Sequence, residues 1–221
     1  MHKSVDKLIS IQNEIQEKSI QLNYHNYQPN IVAVSKTFPL TQVMPLINHG
    51  HIHFGENKVQ EAIEKWLDIK NNFENIKLHM VGKLQTNKVK HVIPLFDYIH
   101  SLDNLKLAEK IANEQSKKNK KVKIYIQINF ANESQKSGIQ KEKIENFYKV
   151  CHEDLGLNII GLMCLPPKNI SDEIYFSEMF NLSRKIKLTD LSMGMSSDYL
   201  NAIKYRSTFL RIGSKIFGNR V

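Results

Sequence analysis

The sequence predicts an α/β protein built from parallel β/α units, and the number of units suggests closure into a (β/α)8 barrel. Three observations carry this. Short β-branched runs alternate with helical stretches along the whole chain, and eight such runs can be counted. The length, 221 residues, lies near the lower end for such barrels and leaves little for a second domain. A single domain over residues 1–221 is therefore expected. An open doubly wound sheet is the alternative, and periodicity by itself does not separate the two.

The elements follow in order. Val5, Leu8, Ile9, Ile15 and Leu22 mark one face of an extra N-terminal helix. Ile31-Val32-Ala33-Val34 is the first strand, with a helix over 40–48. Ile52-His53-Phe54 is the second, ended by Gly55, and Val59, Ile63 and Leu67 mark its helix. Residues 78–81 form the third strand, with a helix over 87–93 closed by Pro94. Tyr98-Ile99-His100-Ser101 is the fourth, and Ser101 or Asp103 is expected to cap the helix carrying Leu105, Leu107, Ala108, Ile111 and Ala112. In residues 122–129, Ile124, Ile126 and Ile128 share one face of a fifth strand, and 141–151 is helical. Residues 159–164 form the sixth strand, stopped by Pro166-Pro167, with a helix over 171–185. Leu191-Ser192-Met193 is the seventh, 198–204 its helix, and 208–212 the eighth strand.

Composition excludes several classes. With 41% hydrophobic and 24% charged residues, the chain is that of a soluble globular protein, not a disordered one. Cys151 and Cys164 cannot make a disulfide framework or a four-thiolate zinc site. Free thiols fit a reducing compartment, so a cytoplasmic protein is expected. No apolar run approaches the length of a membrane span, and no secretory h-region follows the early lysine. The net charge of +9 comes from lysines spread along the chain. Their densest run, Lys117-Lys118-Asn119-Lys120-Lys121, reads as a solvated loop between helix and strand. No aromatic-interleaved basic motif accompanies it, so neither nucleic acid nor membrane is an expected partner. His49-Gly50-His51-Ile52-His53 looks metal-like but has no acidic or thiol ligand at the right spacing, so no metal is expected. P-loop, GxGxxG and GxSxG elements are absent.

The residues with chemistry cluster at strand ends. Lys36 directly follows the first strand, which in a barrel places it on the C-terminal rim. A lysine there is a candidate Schiff-base nucleophile, and a surface lysine in a loop is the plain alternative. In Ser207-Thr208-Phe209-Leu210-Arg211-Ile212-Gly213-Ser214, hydroxyls and a glycine flank the eighth strand, as a phosphate site requires; capping and turn roles are the alternative. Arg211 shares a strand face with Phe209 and Gly213, opposite Leu210 and Ile212, and is expected to project into the lumen near the rim. There it needs an acceptor, either a structural carboxylate or a ring nitrogen of a cofactor.

Ordered blocks along the chain carry a resemblance. They are Ala33-Val34-Ser35-Lys36-Thr37, then His53-Phe54-Gly55-Glu56-Asn57, and His79-Met80-Val81-Gly82-Lys83-Leu84-Gln85-Thr86-Asn87-Lys88. Ser134-Gln135-Lys136-Ser137-Gly138 and Leu191-Ser192-Met193-Gly194-Met195-Ser196-Ser197-Asp198 follow, with Arg211-Ile212-Gly213 and Ile216-Phe217-Gly218. With these, the chain resembles the pyridoxal phosphate homeostasis proteins, whose fold is a TIM barrel of the alanine racemase N-terminal type. The resemblance implies pyridoxal 5'-phosphate as cofactor, with its Schiff base on Lys36. It implies a phosphate cradle of Ser207, Thr208, Gly213 and Ser214, with Ser196 as a further phosphate-side candidate. Arg211 matches the arginine facing the pyridine nitrogen, and Asn57 a residue near the ring. The family often carries His or Pro where this chain has Lys83, and Thr where it has Cys164.

An arginine at the ring nitrogen donates to a neutral nitrogen and leaves the ring a weak electron sink. Alanine racemase adds a C-terminal β-domain bearing a catalytic tyrosine, whereas this sequence ends at Val221. No catalytic residue is therefore assigned. The expected function is non-enzymatic binding of pyridoxal phosphate in vitamin B6 and amino-acid homeostasis, by a monomer whose candidate protein partners are apoenzymes using the cofactor. A low-activity pyridoxal-phosphate-dependent amino-acid racemase is the alternative.

Overall fold

The computed structural model describes residues 2–130, 137–166 and 171–218. Eight parallel strands close into a barrel in sequence order. They are β1 (Asn30–Val34), β2 (His53–Glu56), β3 (Lys77–Met80), β4 (Tyr98–Leu102), β5 (Lys123–Ile128), β6 (Ile159–Cys164), β7 (Asp190–Met195) and β8 (Phe209–Ile212). Closure comes from β1 pairing with β8, with Asn30 beside Phe209 and Ala33 beside Ile212. The open-sheet alternative is thereby excluded.

Side chains alternate across each strand. Ile31, Ala33, Phe54, Leu78, Ile99, Ile124, Ile126, Leu162, Leu210 and Ile212 face outward into the main core beneath the helices. Val32, Val34, Tyr98, Tyr125, Met163 and Phe209 fill the lumen as a second, smaller cluster. The helices form the outer ring: α1 (Lys3–Gln21), α2 (Leu40–Asn48), α3 (Val59–Asn72), α4 (Val89–Leu95), α5 (Leu105–Lys118), α6 (Ile144–Lys149), α7 (Asp172–Lys185), α8 (Tyr199–Lys204) and α9 (Ser214–Phe217). α1 precedes the first strand and buries Val5, Leu8, Ile11 and Ile15. It packs against α2, α8 and α9, beside the junction of the first and last units.

Several boundaries differ from the sequence expectation. Asn104, not Ser101 or Asp103, caps α5; its Oδ1 accepts from the Leu107 N–H at 2.9 Å. Ser101 is already in β4, and Asp103 lies one residue too early for the helical turn. Pro94 sits inside α4 rather than closing it. The helix expected over 141–151 is a 3₁₀ turn, then α6, then a π-helical turn over Val150–Asp154. The lysine-rich hand-over behaves as expected: α5 stops at Asn119, in the left-handed region at φ 46°. Ser134, Gln135, Lys136, Pro167 and Arg220 lie outside the described residues. Among the described residues, no helix is long and apolar enough to cross a membrane.

Candidate functional site

Lys36 stands on the C-terminal rim, two residues past the end of β1. Its neighbours are fixed from outside the barrel. The buried Ser35 Oγ donates to Glu56 Oε1 at 2.8 Å. Lys65 Nζ donates to the Ser35 carbonyl at 2.8 Å and to Glu56 Oε1 at 2.9 Å. Trp66 Nε1 donates to the same carboxylate oxygen at 3.0 Å. On the other side, Thr37 adopts φ 68° and its N–H donates to Glu61 Oε1 at 2.5 Å. A non-glycine residue held in the left-handed region is a local cost that the surrounding bonds must sustain. Lys36, half-buried between these anchors, therefore springs from a rigid base. Glu56 faces the helices, so its charge serves the loop's shape and lies outside the lumen.

Arg211 enters from β8, the strand next to β1, and points into the lumen as its parity requires. It is 5% exposed, so its charge needs compensation. Its partners are a hydroxyl and a carbonyl, not a carboxylate: Nη1 donates to Ser192 Oγ at 2.6 Å and Nη2 to the Cys164 carbonyl at 2.8 Å. Burial lowers the guanidinium pKa from its ordinary value, while Cys164, Asp198 and Tyr125 act the other way. Cys164 itself is an inert thiol, with burial pushing it up to about 12.

Ser196, Gly213 and Ser214 meet on the same rim. Ser196 Oγ accepts from the N–H groups of Gly213 and Lys215, both at 3.3 Å. Two backbone donors, on either side of Ser214, thus converge on the Ser196 hydroxyl. A Cβ at Gly213 would lie 3.2 Å from the Val34 carbonyl, so glycine lets this loop rest against the end of β1. Gly194, at φ 91°, turns the end of β7 and brings Ser196 over the rim; a Cβ there would meet Ala202 at 2.7 Å. Asn57 follows β2. Its neighbour Gly82 packs so closely that a Cβ would lie 2.3 Å from the Asn57 carbonyl. The Asn57 Oδ1 is buried and has no hydrogen-bond partner among the described residues.

Ser207 and Thr208 do not join this site, which corrects the expectation of a cradle containing them. Both precede β8 and so lie at the N-terminal floor of the barrel. Along a strand, Thr208 and Gly213 are separated by about 16 Å. Their hydroxyls are also committed. Ser207 Oγ donates to the Met193 carbonyl at 2.7 Å and accepts from the Met193 N–H at 3.3 Å. Thr208 Oγ1 accepts from the Leu191 N–H at 2.9 Å. These hydroxyls clamp β7 to the start of β8. The direction of the strand already carried this signal, because residues before a parallel strand reach the floor and residues after it the rim.

Three of the histidines, which the sequence does not single out as a group, form a column in the lumen. His53 Nδ1 lies 2.9 Å from His79 Nε2, and His79 Nδ1 lies 2.9 Å from His100 Nε2. His100 Nδ1 lies 2.8 Å from Ser192 Oγ, the hydroxyl that accepts from Arg211. The signal was parity: each histidine occupies an inward position on β2, β3 or β4. Burial is the chief cause that lowers all three, His53 to about 4 and His79 and His100 well below the ordinary histidine value, so the column is neutral at pH 7. His51, lowered to about 4 by burial, bonds the His53 carbonyl. Among the described residues no acidic, thiol and histidine group gathers as a metal site.

The profile of the family described as alanine racemase, N-terminal domain, matches residues 13–221. A Haemophilus influenzae protein named pyridoxal phosphate homeostasis protein is 37% identical over 221 residues, covering 95% of this chain and 93% of that one. The chain belongs to this family. PipY of Synechococcus elongatus, solved with pyridoxal phosphate bound, superposes with a TM-score of 0.81 at 28% identity, covering 92% of this chain and all of that one. An alanine racemase of Clostridium difficile shares the fold at a TM-score of 0.69 and 13% identity, with this chain covering 94% of itself and 56% of that protein.

Proposed function

We propose that this chain binds pyridoxal 5'-phosphate on the C-terminal rim of its barrel and serves vitamin B6 and amino-acid homeostasis without turning over a substrate. The observation that carries this reading is that Lys36, on a fixed base just past β1, shares the barrel end with Arg211 of the neighbouring β8, a buried cation that has only donors to offer. The residues present fit the cofactor. Converging N–H groups of Gly213 and Lys215, with the hydroxyls of Ser196 and Ser214, suit a phosphate. The orphaned Asn57 Oδ1 is a buried polar atom that needs a partner. The cofactor-bound PipY structure and the names of the relatives support the same group.

When bound, pyridoxal phosphate supplies an aldehyde that condenses with amines and a pyridine ring that can withdraw electrons. Lys36 offers the amine. Arg211 donates a hydrogen bond toward the ring nitrogen and, unlike a carboxylate, cannot hold a proton on it. The ring is thus left a poor sink for a carbanion, which is why a carrier role is favoured over catalysis. In this reading the chain acts in the cytoplasm as a monomer, and apoenzymes are the recipients of what it holds.

The test is to incubate the cofactor-loaded protein with L- and D-alanine, serine and glutamate, followed by chiral separation and keto-acid assay. No inversion or amino transfer above a trace is expected. Turnover of about 1 s⁻¹ or more, within the usual enzymic range, would replace the carrier by a racemase or transaminase.

A further inference from the structure

Arg211 is a buried cation whose direct partners carry no formal charge. Buried guanidinium groups ordinarily need an anion, and here the lumen offers a row of imidazoles in its place. The row has a definite polarity. Arg211 has only donors, so Ser192 Oγ must accept from it. The single Ser192 proton is then best spent on His100 Nδ1, which makes His100 an Nε2–H tautomer. His100 Nε2–H donates to His79 Nδ1, and His79 Nε2–H donates to His53 Nδ1. The reverse order would aim two donors at Ser192 and strand its own buried proton, which is costly. In the favoured order, every imidazole turns its lone-pair nitrogen toward Arg211 and its N–H away. The floor end of the row is His53, which feels Lys77, Lys123 and Asp97.

We propose that the His53–His79–His100 column, acting through Ser192, is the counter-dipole of Arg211: aligned neutral imidazoles that hold the guanidinium charged and in place where a carboxylate would neutralise it. Ser192 and His100 are then positioning residues. That Arg211 meets the ring nitrogen rests on the function proposed above, whereas the polarity of the column does not. The stacking of His79 on Tyr98, 4.1 Å between centroids at 8°, and of His100 on Tyr125, 4.5 Å at 27°, fixes the ring planes in which the row can form. The consequence is a guanidinium that keeps its charge facing the cofactor, with Asp198 acting on it only through space and no carboxylate hydrogen-bonded to it.

The experiment uses the full-length chain labelled with ¹⁵N, with and without pyridoxal phosphate, and long-range ¹H–¹⁵N correlation to read each imidazole's tautomer at pH 7. His53, His79 and His100 should all be neutral and carry the proton on Nε2. Ser192→Ala should leave His100 and His79 as tautomer mixtures and weaken cofactor binding about tenfold, as loss of a hydrogen bond to a charged group implies. Ser192→Thr, which keeps the hydroxyl, should restore both. Arg211→Leu gives a second route to the same mixture if Ser192→Ala does not fold. An Nδ1–H tautomer at His100 in the unaltered chain, or unchanged tautomers in folded Ser192→Ala and Arg211→Leu, would overturn the proposal. Expected tautomers with no cofactor binding would instead overturn the function proposed above and leave the column standing.

Discussion

The two ends of the barrel carry similar residues and use them differently. At the floor, the hydroxyls of Ser207 and Thr208 are saturated by the backbone of β7. At the rim, Ser196 Oγ accepts from two N–H groups at 3.3 Å, and among the described residues the buried Asn57 Oδ1 has no partner. Residue type does not separate a structural serine from a binding serine; the state of its hydrogen bonds does. Polar groups that both donate and accept within the protein hold strands together, whereas an unfilled one in a buried setting marks where a ligand completes it.

This contrast is sharpest under substitution. Gly213→Val would push the rim loop off the end of β1 and misplace the converging N–H groups. Losing one to two charge-assisted hydrogen bonds should lower pyridoxal phosphate affinity about a hundredfold in a spectral titration. The mirror experiment is Ser207→Ala. It strands the Met193 N–H and carbonyl in the core and should cost about 1–3 kcal/mol in urea unfolding, with cofactor affinity unchanged. A large loss of affinity in Ser207→Ala would erase the distinction between the two ends.

The lumen between them should show in the pH dependence of stability. His51 and His53 are lowered by burial to about 4 in the fold, and His79 and His100 are likewise lowered well below the ordinary value near 6.5. Below that ordinary value the unfolded chain takes up protons that the fold refuses. Their contribution is therefore complete above about pH 6.5 and is lost as pH falls toward 4. Each histidine adds a slope of at most about 1.4 kcal/mol per pH unit. Asp190 and Asp198, raised by burial, bend the curve the opposite way at its acid end. Urea unfolding midpoints from pH 8 to pH 5 measure this, and a flat profile would mean that the column is not kept neutral. The smallest effect is expected for Thr208→Val, about 1 kcal/mol of stability and no change in binding, since this half-buried hydroxyl duplicates the clamp made by Ser207.

Much of the barrel was legible because parity and punctuation are local. Ile124, Ile126 and Ile128 declare a face within one strand, and Arg211 between Leu210 and Ile212 declares the other. Lys36 was readable for the same reason: a residue just past a parallel strand can only be at the rim. Ser207 and Thr208 sit close to Gly213 in sequence but at the opposite end of β8, a separation that residue type does not reveal. The histidine column was hidden for a different reason. Its members are separated by 26 and 21 residues, and their contact exists only after β2, β3 and β4 are laid side by side. The Glu56 anchor was equally silent, since Glu56 on β2 joins Ser35 just past β1 to Lys65 and Trp66 on α3.

The most direct measurement for the rim site is chemical. The chain is loaded with pyridoxal phosphate, reduced with borohydride, digested, and mapped by mass spectrometry, with Lys36→Ala as control. The cofactor mass should sit on the peptide containing Lys36 and vanish from the control. Label spread over several of the chain's other lysines, or retained in full in Lys36→Ala, would contradict the assignment of the C-terminal rim as the binding site.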